Sequence, residues 1–211
     1  KNLDNWSIRK IPMKAGSRER FWEKNCIALG LAQGFVEPLE ATSLFVTDFC
    51  AAMVAKKFPV NTEEIPIYAK SSNEIAQIIW TRILDFIQLH YVISDRRDTQ
   101  FWRDVTGNIA TSDLLKERLE LWRLSIPQRT DFASTFDFFN AENYLWVLYG
   151  MNYPTRAPIV NEQVRMIAEK TILDHIGNAS RFADSLVSQR VWLTELKEFA
   201  AKNKSWPAKR N

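Results

Sequence analysis

Apolar residues recur at helical spacing along most of the chain, and this pattern predicts a mainly helical protein. The predicted helices span residues 19–31, 44–58, 71–91, 112–124, 141–149, 161–175 and 179–202. Pro59 ends the second of them, and Ser71-x-x-Glu74 matches a capping box that would open the third. The predicted loops span residues 94–108, 125–137 and 151–160.

Residues 5–13 form the only predicted strand, which ends at Pro12. A single strand is not stable by itself and needs a sheet to join. We therefore expect a partner region that this chain does not contain.

The composition narrows the classes of function. With 211 residues, of which 46% are hydrophobic, the chain can bury a large core, and its 2 cysteines are too few for a disulfide scaffold. A net charge of +3 does not favour a nucleic-acid partner. The longest apolar run, from Phe49 to Ala55, is too short to span a membrane, and no apolar signal segment opens the chain. These features predict a soluble cytoplasmic protein with neither a nucleic-acid nor a membrane partner.

Two residue types bear on candidate sites. His90 and His175 are the only histidines and have no metal-ligand spacing to other residues, so no metal site is predicted. His90 ends an apolar helix face and is interpreted as a hydrogen-bonded core residue. The 8 Trp and 13 Phe fit either a pocket for flat ligands or a large aromatic core.

The densest candidate chemistry lies between Asn25 and Leu44. Within it, Glu37 and Glu40 stand three residues apart among apolar neighbours, and a carboxylate in such surroundings can exchange protons near neutral pH. The helix predicted to start near Thr42 offers free backbone amides to a small anion. The residues alone leave two alternatives open: an acid/base site, or a capping acid and a salt bridge at the start of a helix.

This stretch resembles the C-terminal part of the flavin-dependent halogenases of the tryptophan halogenase type. Their pattern is close to N-C-(V/I)-A-(I/L)-G, then F-(V/L)-E-P-L-E-(S/A)-T, of which the chain keeps Asn25, Cys26, Ala28, Gly30, Phe35, Glu37, Pro38, Leu39, Glu40 and Thr42. A second block is similar to the family's D-F-I-x-x-H-Y and D-T-P-F-W: Asp85 to Tyr91, then Asp98 to Trp102, with Gln100 in place of Pro. The resemblance covers about residues 8–150.

The resemblance implies that the chain is the mainly α-helical portion, with a short N-terminal strand, of an α+β FAD-binding fold similar to that of flavoprotein monooxygenases. Residues 1–43 would end the FAD-binding module, and residues 44–211 would form a helical substrate-binding module. The chain contains neither a G-x-G-x-x-G phosphate loop nor a match to the family's catalytic Lys. We therefore expect the FAD-binding part to lie upstream, outside this chain.

The resemblance also implies a chemistry. Reduced FAD from a separate flavin reductase, oxygen and a halide yield hypohalous acid, which halogenates an electron-rich aromatic compound. Glu40 would be the catalytic acid/base residue, and the backbone amides of Thr42 and Ser43 would hold the halide. The residues that would contact the flavin ring are Pro38, Leu39, Ala41 and Leu44. The residues that would contact the substrate are Phe101, Trp102, Phe138, Phe139, Tyr144 and Trp146. A homo-oligomer is left open.

Two departures from the family pattern change the expected site. Ser43 replaces the usual Gly, and its Cβ would reshape the halide pocket. Residues 125–135 lack the Tyr pair and the Glu, near Ser134, with which family members hold free tryptophan. We therefore expect an indole or phenol substrate rather than free tryptophan. Two alternatives stay open: an FAD-dependent monooxygenase, and a non-catalytic helical binding module in which the Glu-Pro-Leu-Glu stretch is inherited but inert.

Overall fold

The computed structural model describes residues 9, 11–12, 14–107 and 111–202, and it is mainly helical over those residues. Its strands are β1 (Gly16–Ser17), β2 (Trp22–Glu23), β3 (Cys26–Ile27) and β4 (Gly34–Phe35). Its α-helices are α1 (Ser43–Lys56), α2 (Ile65–Val92), α3 (Gln100–Gly107), α4 (Asp113–Leu124), α5 (Ala141–Gly150), α6 (Glu162–Ser185) and α7 (Gln189–Lys202). The strand predicted over residues 5–13 lies mostly outside the described residues.

The predicted helix over residues 19–31 is wrong, because this segment forms strands. β2 and β3 pair as an antiparallel hairpin, and β1 pairs antiparallel with β4. Lys24 makes the hairpin turn with a φ of 52°. Asn73 of α2 accepts a hydrogen bond from the backbone N–H of Trp22 (3.0 Å) and donates one to its carbonyl (2.9 Å). A side chain 51 residues away therefore holds the hairpin against α2.

The helix predicted from Ser71 begins earlier than expected, so the predicted capping box is wrong. The Asn61 side chain accepts hydrogen bonds from the amides of Glu63 and Glu64 in a short 3-10 turn, and α2 follows with Pro66 in its first turn. An Asx cap followed by Pro is a typical helix start. α2 thereby gains length at its N-terminus, while its C-terminus falls close to the predicted end.

The predictions for the other helices and loops are confirmed in part. The helices predicted over 44–58, 112–124 and 141–149 are confirmed to within two residues at each end. The predicted loop over 94–108 contains α3, so that prediction is wrong there. The break predicted between 175 and 179 lies instead between α6 and α7, after Ser185.

The core of the protein is built around α2. Its residues Ile79, Ile83 and Leu89 are fully buried, and Trp122 of α4 and Leu148 of α5 join the same apolar cluster. The chain divides into two compact units, Lys1–Pro158 and Ile159–Asn211. The predicted functional division at residues 43 and 44 stays a prediction. Within the described residues, no helix is long and apolar enough to cross a membrane.

Candidate functional site

We call residues 37–42 the carboxylate turn. Its two carboxylates, those of Glu37 and Glu40, both contact the last turn of α2. Oε2 of Glu37 accepts a hydrogen bond of 2.6 Å from the Tyr91 hydroxyl. Oε1 of Glu40 lies 3.1 Å from Nε2 of His90. Two acids three residues apart on the turn thus meet two adjacent residues of the helix. α2, the longest helix, fixes the position of both.

The backbone of the carboxylate turn changes hand just before α1. Ala41 has a positive φ of 52°, whereas Thr42 follows in the right-handed helical region and precedes the first residue of α1, Ser43. The Thr42 side chain makes no capping hydrogen bond. Consecutive residues of opposite hand turn their amides toward one concavity, and the first amides of a helix lack partners within it. This arrangement suits a small anion, and the halide roles of Thr42 and Ser43 stay predictions.

The apolar residues of this segment remain accessible. Pro38 and Ala41 are exposed, as are Leu39 and Leu44, the latter at 84%. A cavity of about 210 Å³ has Ser43 and Leu44 in its wall. A larger groove of about 1000 Å³ lies between the β2–β3 hairpin and α2, and it includes none of the predicted site residues.

The Phe138–Phe139 pair connects α1 to α2. The ring of Phe138 packs edge-on against Phe45, with centroids 4.7 Å apart. The ring of Phe139 stacks on Phe86 at 3.8 Å, and Phe86 in turn packs edge-on against His90 at 5.2 Å. Phe138 is half-buried and Phe139 is buried. One aromatic chain thus leads from Phe139 to the residue that faces Glu40.

The other four aromatic residues assigned to the substrate fall in two places. Phe101 and Trp102 pack against Tyr91, with centroids 6.2 and 5.8 Å away, and so lie beside the residue that holds Glu37. Tyr144 and Trp146 lie on different faces of α5, since Tyr144 is 1% exposed and Trp146 is 81% exposed. Residues two apart on a helix do not share a face. The substrate roles of all six residues stay predictions.

Among the residues that contact the carboxylate turn, Tyr91 has a pKa well above its ordinary value. Burial raises the pKa of its hydroxyl to about 12, and the hydrogen bond to Glu37 and the charge of that carboxylate act in the same direction. Ionising Tyr91 would place a second negative charge beside Glu37. The hydroxyl therefore remains a hydrogen-bond donor throughout the neutral range.

A second group of charges, which we call the buried charge cluster, comprises Arg82, Asp85, Arg118 and Asp137. Asp137 Oδ1 lies 3.1 Å from Nε of Arg82 and 3.4 Å from Nη2 of Arg118. The Arg118 guanidinium also lies 4.6 Å from the centre of the Phe132 ring. Burial raises the pKa of Asp85, although Ser112 and the two arginines oppose this. Sequence reasoning did not find this cluster.

Sequence reasoning also missed the contacts of His90 and Tyr91 with the carboxylate turn. His90 is hydrogen-bonded as expected, but it is partly exposed and faces Glu40 rather than lying in the core. The available signal was the second matched block, which ends in His-Tyr. Among the residues that the structure describes, no group of His, Cys, Asp and Glu could hold a metal ion.

Comparison with known proteins identifies the family. The sequence model of the tryptophan halogenase family matches residues 1–165. Tryptophan 6-halogenase SttH of Streptomyces toxytricini is 32% identical over 140 residues, which cover 66% of this chain and 26% of that protein. A tryptophan halogenase from Shewanella frigidimarina superposes with a TM-score of 0.79 at 32% identity, over 93% of this chain and 38% of that one. Xcc4156, a flavin-dependent halogenase from Xanthomonas campestris, gives a TM-score of 0.57 at 32% identity, over 72% of this chain and 31% of that one.

The chain belongs to the tryptophan halogenase family. The resemblance noted from its two sequence blocks is therefore confirmed. The chain spans about a third of the length of the curated relatives it matches, between 26% and 36% for three of them. Its structure corresponds to a similar share of the two halogenase structures that it superposes on.

Proposed function

We propose that these residues form the halide and substrate side of an FAD-dependent halogenase that acts on an electron-rich aromatic compound. The observation that carries this proposal is the carboxylate turn, where the half-exposed Glu40 adjoins a concavity of backbone amides at the start of α1. The proposed reaction needs a bound halide and a group that takes the ring proton, and an anion site beside a carboxylate can supply both. The proposal applies to the protein that joins this chain to the family's FAD-binding portion.

The residues of this chain fit one side of FAD. The exposed side chains of Pro38, Leu39 and Leu44 offer an apolar surface to a flat ring. The sequence has no loop for the flavin phosphates, so another portion must hold them. When bound, reduced flavin with oxygen supplies the two-electron oxidation of halide to hypohalous acid. We assign supply of the reduced flavin to a separate reductase in the cytoplasm.

Two groups of this chain carry the proposed chemistry. The backbone amides of Thr42 and Ser43 bind the halide, since both lie where the chain turns into α1. Glu40 accepts the proton that the aromatic carbon loses after the halogen has added. Its Oε1 is engaged by His90, while no partner lies at Oε2 among the described residues. Oε2 is therefore the oxygen that takes the proton.

The proposed substrate is an indole or a phenol rather than free tryptophan. An ammonium group needs a carboxylate partner, and both acids of segment 125–137 are already engaged. Oδ2 of Asp131 accepts hydrogen bonds from Nε1 of Trp122 (2.8 Å) and from the Gln128 amide (2.9 Å). Asp137 pairs with the arginines of the buried charge cluster. A buried polar site built for one ligand rejects another that leaves it unpaired, and here the polar site is absent from the described segment.

The exposed and half-exposed aromatics are the proposed substrate contacts. Phe101, Trp102, Phe138 and Trp146 reach solvent, whereas Phe139 and Tyr144 are buried. We assign direct contact to the first four residues. Phe139 and Tyr144 would support the pocket from behind, because both pack on Phe86.

The test uses the complete enzyme with reduced FAD, oxygen and a panel of indoles, phenols and free tryptophan, each with chloride, bromide or no added halide. We expect a halide-dependent mass gain on an indole or phenol and none on free tryptophan. Glu40→Gln should lower kcat by roughly 10²-fold or more and leave flavin binding unchanged, because only the proton acceptor is lost. Glu23→Gln, which changes an exposed carboxylate of β2, is the matched control.

Other outcomes would replace the proposal. An oxygenated product that forms without halide would make the protein a monooxygenase. Flavin binding with no product from any member of the panel would indicate a non-catalytic module. Full activity of Glu40→Gln would remove Glu40 from the chemistry, and turnover of free tryptophan as fast as indole would overturn the substrate assignment.

A further inference from the structure

Residues 125–139, which we call the aromatic loop, carry the proposed substrate contact Phe138 and have little regular structure. Apart from a 3-10 turn at Arg129–Asp131, they run as a loop from the end of α4 to the residue that caps α5. The backbone of a loop makes few hydrogen bonds of its own, so the side chains around it must fix its course. The position of Phe138 therefore depends on which side chains hold the aromatic loop.

Helix α4 presents two hydrogen-bond donors to the aromatic loop. Arg118 and Trp122 are buried and four residues apart, so they lie one turn from each other on the same face of α4. Nε1 of Trp122 donates to Oδ2 of Asp131 (2.8 Å), and Nη2 of Arg118 donates to the backbone carbonyl of Asp131 (2.9 Å). Asp131 is thus held both through its side chain and through its backbone.

Arg118 holds the aromatic loop at a second point, directly before Phe138. The same Nη2 donates to Oδ1 of Asp137 at 3.4 Å. Asp137 also accepts a hydrogen bond from the Ser134 amide at Oδ2 (3.2 Å), and its own amide donates to the Ser134 carbonyl (3.1 Å). One nitrogen of Arg118 therefore joins the two ends of residues 131–137.

Three aromatic rings surround the Arg118 guanidinium. Its central carbon lies 4.6 Å from the centre of the Phe132 ring, and 5.8 and 6.0 Å from the centres of Tyr144 and Trp122. An aromatic ring within about 6 Å attracts a guanidinium, which is planar and more weakly hydrated than an ammonium. The Arg118 side chain is only 6% exposed. These contacts fix the group that holds the aromatic loop.

The end of the aromatic loop that follows Asp137 packs against α1. The centre of the Phe138 ring lies 4.7 Å from that of Phe45 and 5.7 Å from that of Phe49. Phe45 is in the first turn of α1, the helix whose first amides we assign to the halide. The position of Asp137 therefore determines where Phe138 lies relative to the proposed halide site.

We propose that Arg118 is a positioning residue for the aromatic substrate. It holds the aromatic loop at Asp131 and Asp137, and so presents Phe138 to the substrate at a fixed place beside the start of α1. This inference rests on the proposed function, because it takes Phe138 as a substrate contact. Arg118 is itself buried and takes no part in the chemical step. A loop that is already held in its binding conformation avoids the cost of becoming ordered when the substrate binds.

The first test measures hydrogen exchange of the complete enzyme, without any assay of activity. Arg118→Met removes the guanidinium but keeps an unbranched side chain, and Asp137 retains Arg82 at 3.1 Å. We expect the amides of residues 126–138 to exchange about tenfold faster, because the loop opens more often. The β2–β3 hairpin should be unchanged, since α2 rather than α4 holds it.

The matched control for this test is Arg123→Met, at an exposed position of the same helix, which should change neither segment. If the aromatic loop of Arg118→Met exchanged as slowly as in the unaltered enzyme, Arg118 would not hold it and the inference would be wrong. Faster exchange in the β2–β3 hairpin as well would mean that Arg118 supports the whole fold, and this would overturn a specific positioning role.

Arg118→Lys is the second variant, for use if Arg118→Met does not fold. It keeps a positive charge near Asp137, but the lysine nitrogen ends one bond short of the position of Nη2. We expect faster exchange in the same residues, by less than in Arg118→Met. The absence of any change in Arg118→Lys would contradict a role for the hydrogen bonds of Nη2.

The second test measures KM and kcat in the complete enzyme, separately for the aromatic substrate and for the halide. Arg118→Met should raise KM for the aromatic substrate about tenfold, because binding must then order the loop. KM for the halide should stay the same, and Arg118→Lys should recover part of the loss. An enzyme that is only less stable has fewer folded molecules, which lowers the apparent kcat but leaves both KM values unchanged.

The outcomes separate this inference from the function on which it rests. If the unaltered enzyme forms no halogenated product, the proposed function fails, and the substrate role of Arg118 fails with it even where exchange shows that Arg118 holds the loop. If the enzyme is active and both KM values of Arg118→Met are unchanged, the proposed function stands and the positioning role is wrong. An equal rise in the two KM values would also contradict a role specific to the aromatic substrate.

Discussion

The carboxylate turn and the buried charge cluster both hold two acidic side chains, but in opposite surroundings. In the cluster, the Asp137 side chain is 4% exposed and contacts two arginines. In the turn, Glu40 is 30% exposed, contacts one histidine and keeps one oxygen without a partner among the described residues. Removing the charge of Asp137 would leave the buried Arg118 without the carboxylate that it pairs with, whereas Arg82 keeps Asp85 at 3.6 Å. The comparison teaches that an ion pair serves stability where both partners are enclosed, and is available for chemistry where one oxygen remains accessible.

Asp137→Asn tests the structural side of this comparison and should have the largest effect. It keeps the shape of the side chain but removes the charge that faces Arg82 and Arg118. We expect the free energy of unfolding to fall by about 3–5 kcal/mol, the range for breaking a buried ion pair. Urea denaturation of the full chain measures this change.

The matched control for Asp137→Asn is Glu23→Gln. Glu23 pairs with Arg20 at 3.4 Å, but both side chains are mostly exposed. An exposed pair contributes little, so we expect a change below about 1 kcal/mol. If the two substitutions gave equally small losses, the buried charge cluster would have no structural role beyond that of a surface pair.

Part of the fold could be predicted from the sequence, and part could not. Helices such as α1 and α4 were predictable because their apolar spacing and terminal signals are local. The β2–β3 hairpin was not, since its apolar residues also fit helical spacing. What decides it is the Asn73 side chain, which bonds both backbone groups of Trp22 from another element. The spacing of apolar residues along a short segment cannot indicate such a contact.

The candidate site, too, could be predicted from the sequence only in part. The sequence alone indicated a candidate site at Glu37, Glu40 and the start of α1, because acids before a helix are a local pattern. The partners of the two acids were not, as His90 and Tyr91 lie about 50 residues further along the chain. The sequence block that contains them indicated family membership, and only the fold shows which carboxylate each one contacts.

Gly34→Ala examines how the carboxylate turn is anchored, and its effect should be the second largest. A Cβ on Gly34 would lie 2.7 Å from Cζ2 and 2.9 Å from Cη2 of Trp80, a buried residue of α2. We expect a loss of about 1–3 kcal/mol in the free energy of unfolding, as for other overpacked cores. Gly150→Ala is the control, because nothing lies within 4 Å of its added Cβ. A tolerated Gly34→Ala would mean that the chain before the turn can shift away from α2.

Tyr91→Phe removes the hydroxyl that holds Glu37 and should have a smaller effect. The hydrogen bond of 2.6 Å is only partly buried, so we expect a loss of about 1 kcal/mol in the free energy of unfolding. Tyr149→Phe, at an exposed residue of α5, is the matched control and should change it by less than about 0.5 kcal/mol. Equal effects of the two substitutions would show that the carboxylate turn does not depend on Tyr91 for stability.

The titration of Tyr91 provides the finest test of the turn. Its folded pKa of about 12 exceeds the ordinary value of 10, so the fold favours the protonated hydroxyl. This contribution to stability is complete below pH 10 and is lost as the pH rises toward 12. Glu37→Gln removes the charge but not the burial, which is the larger cause. Ultraviolet titration, with Tyr91→Phe as the reference, should therefore show a pKa that falls only part of the way to 10. A complete return would make Glu37, rather than burial, the main cause, and no change would mean that the carboxylate does not act on Tyr91.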